Sequence, residues 1–342
     1  MDALLTDEQD DLRLAAASLA RDVGTETVSE LADGDPDRTW TLLSQSGFLA
    51  LRVPDSLGIP QASGVDVAVV TEQLAASLVR APFLGCGVFA AELARLAGAD
   101  DILAAIGSGE RKVTVCLSRD LTELATSTSW PAIAFDAAGC DTALALRGRD
   151  LVLLELENSG SPCIDLTRSV VEVGPTAAGT VVGELGRDGL KRWTALALTA
   201  LAADLVGTMQ GALSLATRYA TEREQFGAPI GSFQAIAHLC AEQAVRVASA
   251  RSAMNYAAWC ADESPAEALD AARIAKAYAS EAARTVTEAT IQVHGGIGMT
   301  WECLAHLYLR RALMECAVLG DDSYQLGQLA DAAKEGSPDG LS

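Results

Sequence analysis

Arg223-Glu224-Gln225-Phe226-Gly227-Ala228-Pro229-Ile230-Gly231-Ser232-Phe233-Gln234 separates two long stretches rich in Ala and Leu, residues 193–221 and 232–261. Composition of that kind, with no Pro inside, predicts helices. The segment between them reads as a helix stop followed by a start: Gly227 as the residue just past one helix, Pro229 beyond it, Ser232 as the next N-cap. Arg223 then sits at a helix C-terminus, where a cation is stabilising. A second loop of unusual composition, Gln292-Val293-His294-Gly295-Gly296-Ile297-Gly298-Met299-Thr300-Trp301-Glu302, carries three glycines in four positions. Glycines so placed let a backbone approach a phosphate closely, with the N–H groups of the following helix aimed at the anion. Taken singly, either loop is explained by helix ends alone.

The helical pattern continues outward. Residues 264–293 open with Ser264-Pro265-Ala266-Glu267, a capping box with Pro at the first helical position, and a fourth helix is expected from Thr300 to about Leu319. Four long apolar helices with short connections predict an antiparallel bundle. Near the N-terminus Leu12, Ala15, Ala16, Leu19 and Val23 recur at helical spacing, and a similar stripe runs from Val67 through Leu74 to Leu78. Pro54, Gly58, Pro60 and Gly64 mark a loop between these two stripes. From Lys112 the character changes to short β-type runs at 113–118, 130–136, 141–157 and 169–174, separated by turn residues. The expected fold is mainly α with a small β insert: an N-terminal helical domain at 1–110, a reduced middle β domain at 111–185 and a C-terminal four-helix bundle at 186–335.

Composition narrows the function. Against 46 Asp and Glu stand 25 Lys and Arg, a formal net charge of −21, which excludes nucleic acid or an anionic membrane as the main partner. Half of the residues are hydrophobic, enough for a large core. The apolar runs are broken well short of the ~20 residues of a bilayer span and the first residues are acidic, so neither a membrane helix nor a signal peptide is expected. Eight scattered cysteines without metal-ligand spacing read as core residues of a protein in a reducing cytoplasm. There is no GxSxG, HExxH, Walker loop or GxGxxG, and a triad hydrolase is a poor hypothesis.

Together, REQFGxPIxxFQxxxH and, one helix later, IQVHGGIGMTxE are specific in content and spacing, and they resemble the acyl-CoA dehydrogenase family of flavoproteins. The resemblance spans nearly the whole chain and is strongest in the C-terminal bundle. It implies that Arg223 pairs with the pyrophosphate of FAD and that Phe226 packs near its adenine end. Gln234, Gln292, Gly295, Gly296 and Gly298 would line the same ADP moiety, reaching across to a neighbouring subunit. A guanidinium suits a bidentate phosphate contact, and glycine admits a backbone N–H where a Cβ would clash.

The family reaction needs a carboxylate base, and counting from the glycines places that position on Leu319; the alternative position, on the helix before Arg223, falls at about Ala197. Neither is an acid. Asp204, Asp321 and Asp322 are the nearest substitutes, with Asp321 and Asp322 the weak catalytic candidates; all three otherwise read as solvated residues near helix ends. The LTEPxxGSD and WIT segments that hold the flavin ring are missing from residues 116–130, and Ile164-Asp165-Leu166-Thr167-Arg168 resembles a later family segment that a β-turn with a surface Arg explains equally well.

The retained half of the flavin site is the half that crosses a subunit boundary. The resemblance therefore implies the smaller, base-less subunit of an α2β2 acyl-CoA dehydrogenase, similar to those of bacterial sterol side-chain degradation. A larger acyl-CoA dehydrogenase subunit supplies the base, a bulky acyl-CoA is the substrate, and a separate electron-transfer acceptor reoxidises the flavin. The alternatives are a homo-oligomeric dehydrogenase using Asp321 or Asp322, and a non-enzymatic helical assembly module.

Overall fold

The computed structural model describes residues 5–33, 35–56, 58–157, 161–174 and 177–336. Its N-terminal part is helical: α1 (Asp7–Val23), α2 (Glu30–Asp33), α3 (Pro36–Gln45), α4 (Gly64–Ala76), α5 (Ala91–Ala97) and α6 (Asp100–Gly107), with a buried π-helical segment, Phe83–Ala90, leading into α5. The start of α1 is set by a reciprocal cap, in which the Gln9 N–H donates to Thr6 Oγ1 and the Thr6 N–H donates to Gln9 Oε1. Ser63 and Asp66 form the same device at α4.

A seven-stranded sheet follows: β1 (Val113–Leu117), β2 (Ala132–Phe135), β3 (Thr142–Arg147), β4 (Asp150–Glu155), β5 (Ser161–Pro162), β6 (Ser169–Val173) and β7 (Gly179–Glu184), in the order β5-β6-β2-β1-β3-β4-β7. Among the described strands only the β1–β3 pair is parallel. β1 is central and buried along its whole length, so its sequence reads as an unbroken apolar run. β7 lies at the edge, is largely exposed and is joined across a bulge at Leu151/Val152, which is why its weakly patterned sequence escaped the reading of β-type runs.

The helices of the C-terminal part are α7 (Arg187–Glu222), α8 (Gln234–Glu263), α9 (Ala268–His294), α10 (Ala305–Ala317) and α11 (Asp322–Gly336). α7 is the spine, packed against α4, α8, α9 and α10. Two glycines let α4 lie directly on it: a Cβ at Gly207 would fall 2.1 Å from the Glu72 carbonyl oxygen, and one at Gly211 would fall 2.3 Å from that of Ala76. By length and composition α7 is apolar enough to cross a membrane, contrary to the expectation that every apolar run is too short, because Asp204 is the one charge between Trp193 and Thr217. Of its apolar window, 89% is buried inside the protein, as in a core helix.

Two local expectations are corrected. The Ser264 capping box does not form: residues 265–267 make a turn, α9 begins at Ala268, and the Glu267 carboxylate accepts from the Tyr256 hydroxyl at 2.7 Å instead of from the Ser264 N–H. Gly227 does not end a helix and Ser232 does not cap one. α7 stops at Glu222, Phe233 occupies the N-cap position of α8, and the residues between form a hairpin. Beyond the four expected bundle helices, α11 packs as a fifth against α9.

Candidate functional site

α7 and α9 end side by side. Near their C-termini the rings of Tyr219 and His294 stack with centroids 4.4 Å apart, and Ala216, Ala220 and Val293 form a small apolar cluster with Ile230, Ile236 and Leu239. This packing places the Arg223 segment and the Gly295 segment at one end of the bundle. His294 Nδ1 lies 2.8 Å from the Thr290 carbonyl oxygen, which fixes the ring as a packed helix-end group.

From that end projects a hairpin of β8 (Glu224–Gln225) and β9 (Ala228–Pro229), with Phe226 at φ 54° and Gly227 at φ 80° at its tip. Two successive left-handed residues are the signature of a tight type I′ turn. Gly227 meets that demand freely, whereas Phe226 adopts a conformation that costs a residue with a Cβ about 1–2 kcal/mol. Among the described residues nothing recovers that cost, because Phe226 is 96% exposed and meets only the edge of Phe233 at 6.2 Å. Arg223 is exposed and makes no side-chain hydrogen bond or ion pair among the described residues.

Gln234 opens α8 and is exposed, and no side chain caps that 30-residue helix, so its first N–H groups are open toward the same end. Gln292 is exposed on the last turn of α9. Gly295 follows at φ 63°, its N–H held by the Gln292 and Ile291 carbonyl oxygens, and a Cβ at Gly295 or Gly296 would meet nothing within 4 Å, so the space beside their Cα atoms is open. Gly298 differs: it is buried, and a Cβ there would meet His294 Cβ at 3.0 Å, so its glycine serves the packing of the loop. The six other residues singled out by the sequence are thus brought together on one exposed face.

The junction between sheet and bundle is built in the opposite way. Arg168 is no surface residue; it is buried between β6 and the bundle, donating through Nε to Glu315, through Nη1 to Asp136 Oδ2 at 2.8 Å and through Nη2 to Asp204 Oδ2 at 2.8 Å. Arg311 on α10 grips the same Asp204 with two bonds of 2.8 and 2.6 Å. Asp204 is therefore a buried mid-helix group rather than a solvated one. Burial alone would raise its pKa, but the Arg311 and Arg168 guanidinium groups hold it below the usual carboxylate range. Burial raises Asp136 despite Arg168, and it pushes Glu315 up to about 8. None of these pairings was legible in the sequence, since the partners lie up to 147 positions apart.

The turn after α10 is closed as well. Leu319 is buried at φ 56°, and its N–H donates to the Leu121 carbonyl oxygen of the sheet unit at 2.7 Å. The buried Lys276 ammonium donates to the Cys316 and Gly320 carbonyl oxygens at 3.0 Å each, its pKa lowered by burial to about 8. Beside Leu319 lies a cavity of about 330 Å³ lined by Leu124, Leu146, Trp193 and Leu269, in which Glu123 is the one carboxylate among the described residues. Asp321 and Asp322 do not line it: Asp321 Oδ1 caps α11 by accepting the Tyr324 N–H at 2.9 Å, and Asp322 pairs with Arg284 at 2.5 Å.

Residues 196–334 match the family described as acyl-CoA dehydrogenase, C-terminal domain. Over 298 residues the chain is 34% identical to acyl-CoA dehydrogenase IpdE2 of Mycolicibacterium smegmatis, covering 86% of this chain and 87% of that protein. It is 32% identical over 338 residues to acyl-CoA dehydrogenase FadE34 of Mycobacterium tuberculosis, covering 91% of this chain and 46% of that longer protein. The fold is that of a chain in the ChsE4-ChsE5 complex from Mycobacterium tuberculosis, with a TM-score of 0.84 at 24% identity over 99% of this chain and 100% of the other. A variant of the Tcur3481-Tcur3483 steroid ACAD gives a TM-score of 0.81 at 25% identity over 96% of this chain and 98% of the other.

Proposed function

Because the chain belongs to the acyl-CoA dehydrogenase family, we propose that it is the base-less subunit of a heteromeric, FAD-dependent acyl-CoA dehydrogenase that converts a bulky, sterol side-chain-like acyl-CoA to its 2,3-enoyl form. One observation carries the reading. The groups suited to an ADP moiety stand exposed at one end of the bundle, while the position of the family's base is Leu319, which carries no acid and whose N–H is bonded to Leu121.

The residues present fit half of the cofactor. Arg223 supplies a free guanidinium for a pyrophosphate, Gly295 and Gly296 leave room beside their Cα atoms for a close approach, the uncapped start of α8 favours negative charge, and Phe226 presents an exposed aromatic ring. They do not fit the ring half: the LTEPxxGSD and WIT segments that would hold the ring are missing from residues 116–130, and the base position is a leucine hydrogen-bonded to Leu121. When bound, the flavin accepts a hydride from the β carbon. This chain's part is to bind and orient its ADP end, while the proton at the α carbon goes to a carboxylate of the larger partner. The named heteromeric complexes among the similar structures support a partner of this kind. Cytoplasmic location and a separate electron acceptor belong to the same proposal.

The test is a flavin count. The chain purified alone, and helical by circular dichroism, should hold no stoichiometric FAD, whereas the co-expressed complex with a full-length dehydrogenase partner should hold it. A stoichiometric flavoprotein from this chain alone overturns the reading.

A further inference from the structure

The cluster around Arg168 is short of donors and of positive charge. Four carboxylates (Asp136, Asp165, Asp204 and Glu315) face two guanidinium groups (Arg168 and Arg311), and all six residues are buried. Asp165 keeps Thr167 in place by accepting from its N–H at 2.8 Å and from its hydroxyl at 2.7 Å. Three buried oxygens have no hydrogen-bond partner: Asp136 Oδ1, Asp165 Oδ2 and Glu315 Oε2. With every group ionised the cluster would carry two excess negative charges, with acceptors left over and no donor for them. A buried charge without a partner is costly, and such sites are relieved by binding a proton. One proton halves the excess charge and leaves one fewer ionised acceptor without a donor.

The members come from every unit that meets here. Asp136, Asp165 and Arg168 belong to the sheet, Asp204 to α7, and Arg311 and Glu315 to α10; from the helical N-terminal part the Gly85 N–H donates to Asp136 Oδ2 at 3.1 Å. The neighbouring charge on α9 is Lys276, bonded to the carbonyl oxygen of Cys316 beside Glu315. The segment leading into β6 is tied to α10 also by Arg311 Nη1 donating to Thr167 Oγ1 at 3.1 Å and by Arg310 Nη1 donating to the Ile164 carbonyl oxygen at 3.4 Å.

We propose that Glu315 is a proton-operated latch: protonated, it closes the sheet onto the bundle, and ionised, it loosens that junction along residues 165–173 and α10 while α8 stays folded. This inference is independent of the proposed function. Glu315 is the member whose proton is held furthest into the physiological range, by burial. Its pKa is higher in the closed state than when solvated, so closure is favoured below the solvated value of 4.5 and is progressively lost as pH rises toward 8. Within that window the ratio of open to closed should rise about tenfold per pH unit, and above it the ratio should level off.

The experiment is hydrogen exchange on the full chain from pH 5 to pH 9, with rates divided by the chemical exchange rate at each pH. Peptides covering 165–173 and 305–317 should lose protection about tenfold per pH unit up to pH 8, those of α8 should not, and Glu315→Gln should abolish the pH dependence. Infrared titration of the unmodified protein decides even if that variant fails to fold. At pH 7 a protonated carboxyl band should persist, fall to about half near pH 8 and be lost above it. A band already absent at pH 7, a pH slope retained in Glu315→Gln, or protection lost equally in α8 overturns the latch.

Discussion

At the scale of single residues, the exposed face at the bundle end makes the sharpest claims. Arg223→Ala should cost the assembled complex about 2–5 kcal/mol of flavin affinity, the range for removing one side of a buried charge pair, while the subunits remain associated. Flavin content after gel filtration reads this directly. Asp321→Asn and Asp322→Asn should leave turnover within about twofold, because one side chain caps a helix and the other makes a partly exposed ion pair whose loss costs ~0–1 kcal/mol. Loss of turnover with flavin still bound would make this chain catalytic. Arg223, Phe226, Gln234, Gln292 and the glycines could be singled out in the sequence because they stand in two short loops whose motif is a matter of residue type at fixed local spacing. Arg168 could not: an Arg after Asp-Leu-Thr looks the same whether it meets water or, as here, Asp136, Asp204 and Glu315 from distant parts of the chain.

Elements tell a similar story about what local sequence decides. α1 and α4 each begin at a reciprocal cap whose partners lie three positions apart, so Gly64, read as part of a loop, is instead the first residue of α4. α9 does not begin at such a cap, because Tyr256 on α8 takes the Glu267 carboxylate that the box needed. The hairpin after α7 was hidden for another reason: Phe226 occupies a position where Asn or Gly would have announced the turn. Phe226→Gly should therefore leave thermal stability unchanged or slightly raised, by up to about 1 kcal/mol, yet reduce flavin retention in the complex. A destabilised variant with normal flavin content would mean that the ring serves the fold. Where α4 crosses α7, Gly207→Ala should cost about 3 kcal/mol or more, because the obstructing atom is the backbone oxygen of Glu72 and cannot rotate away. Denaturant unfolding of the full chain measures it.

For the molecule as a whole, helices, sheet and helices follow in the order that periodicity predicts, and the edge strand β7 and terminal helix α11 escaped because neither has a strongly apolar face. Two buried titratable groups give the fold an unusual response to pH. Glu315 withdraws stability as pH rises to about 8. Lys276 does the reverse: its folded pKa of about 8 lies below the ordinary 10.5, so the unfolded chain binds the extra proton between those values and stability grows with pH across that interval. Their combined contribution should have a minimum near pH 8, where most proteins are comfortable. The difference in unfolding free energy between the native chain and a Glu315→Gln, Lys276→Met double variant, measured at pH 6, 8 and 10, should trace that minimum. A flat difference would mean that the two side chains do not titrate in this range.

The spine helix also has a history on the ribosome. α7 is made before α8, α9 and α10 exist to cover it, so for the time needed to synthesise roughly a hundred residues the nascent chain exposes a segment that insertion machinery could read as a membrane span. Asp204 sits at the midpoint of that segment, where a carboxylate at the centre of a bilayer is penalised by about 3 kcal/mol. The same side chain that ties α7 to Arg168 and Arg311 in the folded chain thus also makes α7 a poorer bilayer span than its apolar neighbours alone would make it.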